Sequence, residues 1–178
     1  MTYYGASEIA RSFRTVRKNT IQIAEEIPED RYGFVPAPGS RSVAQTLVHI
    51  AVSPQLQQHL HGELKLDTLE GFDFFGYFGG LMAEEQKPRG KAEILSLLRE
   101  RGESYANWAE GLSDGFLGQQ VRYPEGMQPP VKSRFEMIIS PKEHEMHHRG
   151  QLMLVERLLS MTPHLTRQMM ATIAARQR

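Results

Sequence analysis

Three histidines set the chemistry open to this chain. His49 stands alone in Gln45-Thr-Leu-Val-His49-Ile50, while His144 and His148 lie four apart in Glu143-His-Glu-Met-His-His-Arg-Gly-Gln151. Side chains at i and i+4 share one face of a helix, so His144 and His148 can grip one metal ion from a single helix. His49 is the candidate third ligand, from a second helix, which leaves open positions for water or substrate. Three imidazoles buried without partners would be costly, and a divalent cation offers a partner to each. Imidazole ligates as the neutral base, so such a site fills above about pH 6 and empties below it.

Neighbouring residues extend the constellation. His147 falls to one side of His144 and could sit behind the ligands, face substrate, or be exposed. Gln151 and Arg149 could orient a substrate, although Arg149 equally suits a structural ion pair. His59 and His61 lie off the His49 face and His164 follows the helix of His144 and His148, and all three are expected at the surface. The string His144-Glu145-Met146-His147-His148 also satisfies the H-E-x-x-H pattern of zinc peptidases, in which the glutamate is the general base. The longer form of that motif needs Gly and His three and six residues after the second ligand, where this chain has Gln151 and Leu154. With no strand pattern to hold a peptide, the peptidase reading is disfavoured.

Composition narrows the partners. The chain has 178 residues and no cysteine. A thiolate nucleophile, a disulfide and a Cys-based zinc site are therefore excluded, and a transition metal must use His with Asp, Glu or water. Acidic and basic residues balance at 21 each, which gives no electrostatic reason to bind nucleic acid. The basic stretch Arg11 to Lys18 reads as the solvated face of an amphipathic helix. No signal-like N-terminus and no apolar run of membrane-spanning length are evident, so no membrane association and a cytoplasmic location are expected.

The elements that must position the histidines follow from periodicity. Ile9, Phe13, Val16, Thr20, Ile23 and Ile27 step by four and three, predicting a first helix over about 6–27 that ends at Pro28. Ser42 and Gln45 form a capping-box pattern, opening a second helix to about His61 that Pro54 should kink. Its face of Gln45, His49, Val52, Leu56 and Leu60 points His49 at the core. Residues 62–90 read as irregular, with a short helix possible over 80–86 and a crowd of aromatics from Phe72 to Phe78. A third helix is expected over about 91–111, where Arg101 interrupts the stripe of Ile94, Leu98, Tyr105, Trp108 and Leu112. After a loop over 113–132, Ser133 and Glu136 open a fourth helix that runs to about Ser160 and that Pro141 should bend or restart. Pro163 opens a short final helix. Four long helices with uneven connections in one domain, 1–178, suggest an all-α four-helix bundle with an additional short C-terminal helix.

Two segments carry a family resemblance. Phe34-Val-Pro-Ala-Pro-Gly-Ser-Arg-Ser-Val-Ala-Gln-Thr-Leu-Val-His49-Ile50 and His144-Glu-Met-His-His-Arg-Gly-Gln-Leu152 resemble the two signature regions of DinB-like proteins. The resemblance implies an up-up-down-down four-helix bundle, often a homodimer, with a divalent metal held by His49, His144 and His148. His147 is not a ligand in that pattern. Pro54 and Pro141 depart from it and could displace a ligand, and the aromatic segment Phe72 to Phe78 has no counterpart in it.

The resemblance also implies thiol-dependent transferases or isomerases, in which the metal acidifies a low-molecular-weight thiol such as bacillithiol or mycothiol. Lack of cysteine is compatible, since the cosubstrate supplies the sulfur. Hydrolysis of a small-molecule substrate by water at the metal is the other enzymatic reading. A non-catalytic metal-binding stress protein and a helical interaction module without metal are the alternatives. Zn, Ni, Fe, Mn and Cu all suit three imidazoles. Tyr105, Trp108 and the aromatic segment are candidate pocket walls, with the core favoured for Tyr105 and Trp108.

Overall fold

The computed structural model describes residues 4–177. Four helical pillars form the bundle. The first is α1 (Ala6–Glu26); the second is α2 (Val43–Val52), continued by the short α3 (Gln55–Gln57) and a π-helical turn over Gln58–Glu63. A crossing helix α4 (Phe74–Gln86) leads to the third pillar, α5 (Lys91–Glu110). A one-turn α6 (Asp114–Leu117) and a hairpin, β1 (Gln120–Arg122) with β2 (Val131–Ser133), precede the fourth, α7 (Arg134–Leu158). The chain then forms α8 (His164–Arg176). Among the described residues, no helix is long and apolar enough to cross a membrane.

Helix starts follow the sequence. Gln45 N–H donates to Ser42 Oγ and Ser42 N–H to Gln45 Oε1, and Ser133 with Glu136 repeats the box at α7. α4 begins earlier than the sequence suggests, because Asp73 Oδ1 caps it by accepting from Gly76 N–H at 2.9 Å. The loop over 113–132 is partly ordered as the antiparallel hairpin, in which Val121 faces Lys132.

α1 and α2 each pack on both α5 and α7, which places α1 diagonal to α2. The order of directions is up-down-down-up and not up-up-down-down. Arg14 of α1 meets Glu103 of α5, whereas Glu25 meets Arg99 and the Lys91 ammonium, so α1 and α5 are antiparallel. Phe13 packs near Ile138, and Ile23 near Leu152 and Val155, so α1 and α7 run parallel. The reason lies in the loop after α1. Tyr32 donates its hydroxyl back to Ala24 O, and Val43 N–H donates to Phe34 O. The loop is thereby held at the end where α1 stops, and α2 must return. The long crossover is the segment 64–90.

Both helix prolines are absorbed. Proline removes the donor to the carbonyl four residues earlier. For Pro141 that carbonyl is Met137 O, which accepts instead from Ser140 Oγ at 2.7 Å, and α7 continues unbroken where a bend or restart was expected. For Pro54 it is Ile50 O, which accepts from Arg17 Nη2 at 3.1 Å.

Arg17 is therefore not on a solvated face. It lies at the centre of the bundle, 4% exposed, paired through Nε with both carboxylate oxygens of Glu145 at 2.9 and 3.1 Å. Its Nη1 donates to Leu98 O at 2.7 Å. One guanidinium thus ties all four pillars. Gly102 on α5 makes the room: a Cβ there would stand 2.8 Å from Arg17 Cγ. Apolar clusters lie to either side, one with Phe13, Tyr105 and Ile138, the other with Leu47, Leu98 and Leu152.

Candidate metal centre

His49 on α2 and His144 and His148 on α7 meet across the α2–α7 interface. Their ligand nitrogens all lie within 4.8 Å of one another. His144 Nε2 stands 3.0 Å from His49 Nε2 and 3.1 Å from His148 Nε2. The far sides of two rings are committed: His49 Nδ1 faces Glu85 Oε1 at 2.7 Å and His148 Nδ1 faces Gln151 Oε1 at 2.7 Å. With Nδ1–H donated to those oxygens, Nε2 of the neutral His49 and His148 rings is a bare lone pair. A single proton on His144 Nε2 cannot properly serve both.

A divalent cation fits this arrangement. Ligand bonds of about 2.0–2.1 Å, at angles between a right angle and tetrahedral, separate two nitrogens by about 2.9–3.4 Å. The two short separations fall in that window. The rings are also kept in their ligating form. Burial, with the charges of the neighbouring histidines and Arg41, pushes His144 down to about 4. Burial lowers His49 and His148 as well, against the raising effects of Glu85 and Gln151.

Glu85 is the residue that sequence reasoning missed. It sits on α4, 5% exposed, and holds His49 through one oxygen while Arg41 Nε donates to the other at 2.6 Å. A carboxylate behind a ligating histidine fixes the ring and raises its basicity. No spacing announces it, since the Gly- and Phe-rich stretch before it has no period.

The remaining candidates separate clearly. Gln151 is exposed but bridges the site: its Oε1 holds His148 and its Nε2 donates to Nε2 of the exposed His147 at 3.1 Å. Arg149 does not join the cluster; its charge acts on His164 instead. Glu145 points away from the histidines into the Arg17 pair, so it cannot act as the base of an H-E-x-x-H peptidase.

His61 and His164, expected at the surface, are both buried. His61 accepts from Arg134 Nη1 at 2.7 Å and donates to Gln57 Oε1, and burial together with the Arg134 charge lowers it to about 4. Of the proposed pocket walls, Tyr105 is core, donating to Ile138 O, and Trp108 packs beside it. Phe72 and Phe74 plug a third cluster around Leu60 and Met137, while Phe75 and Phe78 are exposed.

The wall beside the histidines comes from elsewhere. A cleft of about 750 Å³ reaches His148, Gln151 and Glu85 at one end and runs between α2 and α7, with Arg41, Val43, Leu152 and Val155 among its lining. Arg17 steadies this geometry from behind, because Ile50 and Glu145 are the sequence neighbours of His49 and His144.

Comparison with known proteins gives a consistent outcome. The family model described as the DinB superfamily matches residues 12–152. No curated protein matches the chain. Among solved structures, the DinB-like protein YjoA of Bacillus subtilis is 21% identical, with a TM-score of 0.63 over 87% of this chain and 94% of that one. YfiT of Bacillus subtilis, described as a probable metal-dependent hydrolase with an unusual four-helix bundle topology, is 14% identical, with a TM-score of 0.68 over 91% of each chain. A protein from Clostridium difficile 630 is 16% identical, with a TM-score of 0.64 over 88% of this chain and 98% of that one. At these identities the likeness is one of fold.

Proposed function

This chain belongs to the DinB superfamily, and on that footing we propose that it is a divalent-metal-dependent enzyme of the hydrolase kind, with His49, His144 and His148 as the ligands. The observation that carries this reading is the meeting of three Nε2 atoms, at 3.0 and 3.1 Å, with the other nitrogens of His49 and His148 already engaged. Zn, Ni, Fe or Mn suits three neutral imidazoles. When bound, such an ion supplies a Lewis acid that acidifies water and polarises a carbonyl.

The residues of the chain do the rest. Glu85 and Gln151 hold two of the rings in their ligating tautomer. Arg41 lines the cleft; its Nε and Nη2 are turned to Glu85, and its Nη1 makes no hydrogen bond among the described residues. That group is free to donate to a substrate carbonyl oxygen and to the negative charge that develops there. In the hydrolysis, the oxygen of water bonds to the acyl carbon, the bond to the leaving group breaks, and the proton of water passes to the leaving group.

Two features weigh against the rivals. The cleft reaches His148, whereas a storage or purely structural site would be sealed by side chains. Its exposed lining is chiefly apolar. This suits an apolar acyl compound better than a polar, sugar-bearing thiol. The test is metal analysis of freshly purified and of reconstituted protein, with and without His144→Ala, followed by acyl ester and amide substrates and by a thiol with an electrophile. One metal per wild-type chain, lost in the variant, and acyl hydrolysis are expected. Failure of the wild type to retain any of the four metals would overturn the reading, and turnover only with added thiol would replace hydrolysis by thiol transfer.

A further inference from the structure

The cleft is chemically two-ended. Its charged side chains, Arg41 and Glu85, gather at the histidine end with Gln151 and His148, while the uncharged Ser40, Gln45, Thr46 and Gln86 lie along the wall opposite α7. Beyond them the floor is Val43, Leu152 and Val155, all buried. The rim is Met82, Leu154 and Leu158, each more than half exposed. Three large apolar side chains left open around one cleft are more than the scattered exposure of an ordinary surface. From His148 to Leu158 the α7 wall rises about 15 Å at 1.5 Å per residue. The volume of about 750 Å³ lies within the range of small-molecule sites.

We propose that this cleft takes a substrate bearing an extended apolar chain. The reactive acyl group lies at the histidine end, within reach of Arg41 Nη1. The chain runs along α7 over Leu152 and Val155 to Leu158. The placing of the acyl group rests on the metal-dependent reading above; the placing of the chain rests on the cleft alone. An ionised tail is excluded by the same layout, since no charged side chain lines the far end to receive it.

The experiment measures the Kd of straight-chain alkyl hydroxamates, from butyl to decyl, by calorimetry. The proteins are zinc-loaded wild type, His144→Ala, and the rim variant Leu158→Asn, whose side chain is exposed and whose folding is not at risk. Each methylene that enters the cleft should tighten binding by about fourfold. The dependence should persist in His144→Ala, which lies outside the cleft lining, although every member binds more weakly there. In Leu158→Asn the gain should be lost for the longest members only.

A Kd independent of chain length in protein that retains zinc overturns the proposal and leaves the metal-dependent reading intact. A chain-length dependence in protein that retains no metal does the reverse. A dependence unaltered in Leu158→Asn would also overturn it, since the chain would then lie elsewhere.

Discussion

Replacing Glu145 by Gln tests the most consequential assignment in the core. Glu145 accepts from Arg17 with both oxygens, and the two side chains are 1% and 4% exposed. Gln keeps the shape and one acceptor but removes the counter-charge. The guanidinium is pinned by Leu98 O and Ile50 O and cannot leave for water. Breaking a buried pair on one side costs about 3–5 kcal/mol, and the retained acceptor places Glu145→Gln near the lower figure. At about 2–4 °C per kcal/mol for a domain of this size, Tm should fall by roughly 6–12 °C, read from thermal and urea unfolding followed by circular dichroism. Metal affinity should fall with it, because Arg17 sets the level of His49 against His144. Converting both partners to Met removes the stranded charge, so the double variant should be more stable than Glu145→Gln. It should remain below wild type, because Ile50 O, which Pro54 deprives of its helical donor, then loses Arg17 as well. A Glu145→Gln protein that melts within about 1 kcal/mol of wild type but loses activity would refute this account and restore the glutamate as a base.

Other consequences are open to measurement. Glu85→Gln should weaken zinc binding by about 10–100-fold with little change in fold, as read by competition with a chromophoric chelator; unchanged affinity would remove Glu85 from the site. Burial and the nearby Glu26 charge raise Glu156 to about 7, and both its oxygens lack hydrogen-bond partners among the described residues. Its folded value lies above its unfolded one, so the stability it contributes is complete below about pH 4.5 and is lost as pH rises through 7. Glu156→Gln should therefore exceed wild type at pH 8, by an amount of order 3 kcal/mol at most, and show no such gain at pH 4.5; parallel urea-stability profiles would contradict this. Gly102→Ala, which drives a methyl against Arg17, should destabilise by about 1–3 kcal/mol in the same unfolding assay, and a neutral result would mean that the guanidinium can move aside.

How much could be read from the sequence depends on whether a feature is local and periodic. The stripe from Ile9 to Ile27, the Ser42 and Ser133 boxes and the pairing of His144 with His148 are all set within a turn or two, and the structure holds them where the spacing put them. Arg17 was hidden because a basic run on an amphipathic helix reads as solvated; what draws it inward is a carbonyl freed by Pro54 and a carboxylate far along the chain. His61 was misplaced by the π-helical turn over Gln58–Glu63, where Leu64 N–H reaches back to His59 O. Such a turn holds one residue more than an α-helical one and advances every later face. The direction of α2 was misassigned because it depends on where Tyr32 and Phe34 fold back, which has no period at all.

α4 packs chiefly on α2, contains Gly76, Gly79 and Gly80, and leaves Phe75 94% exposed, yet it delivers Glu85 to His49. A segment so lightly anchored opens at small free-energy cost, and each opening withdraws the carboxylate from the ligand ring. Linkage is reciprocal: an ion that binds better when the carboxylate is in place must, by the same factor, hold the crossover segment down. The amides of α4 are thus a built-in gauge of occupancy, their exchange with solvent slowing as the histidines fill.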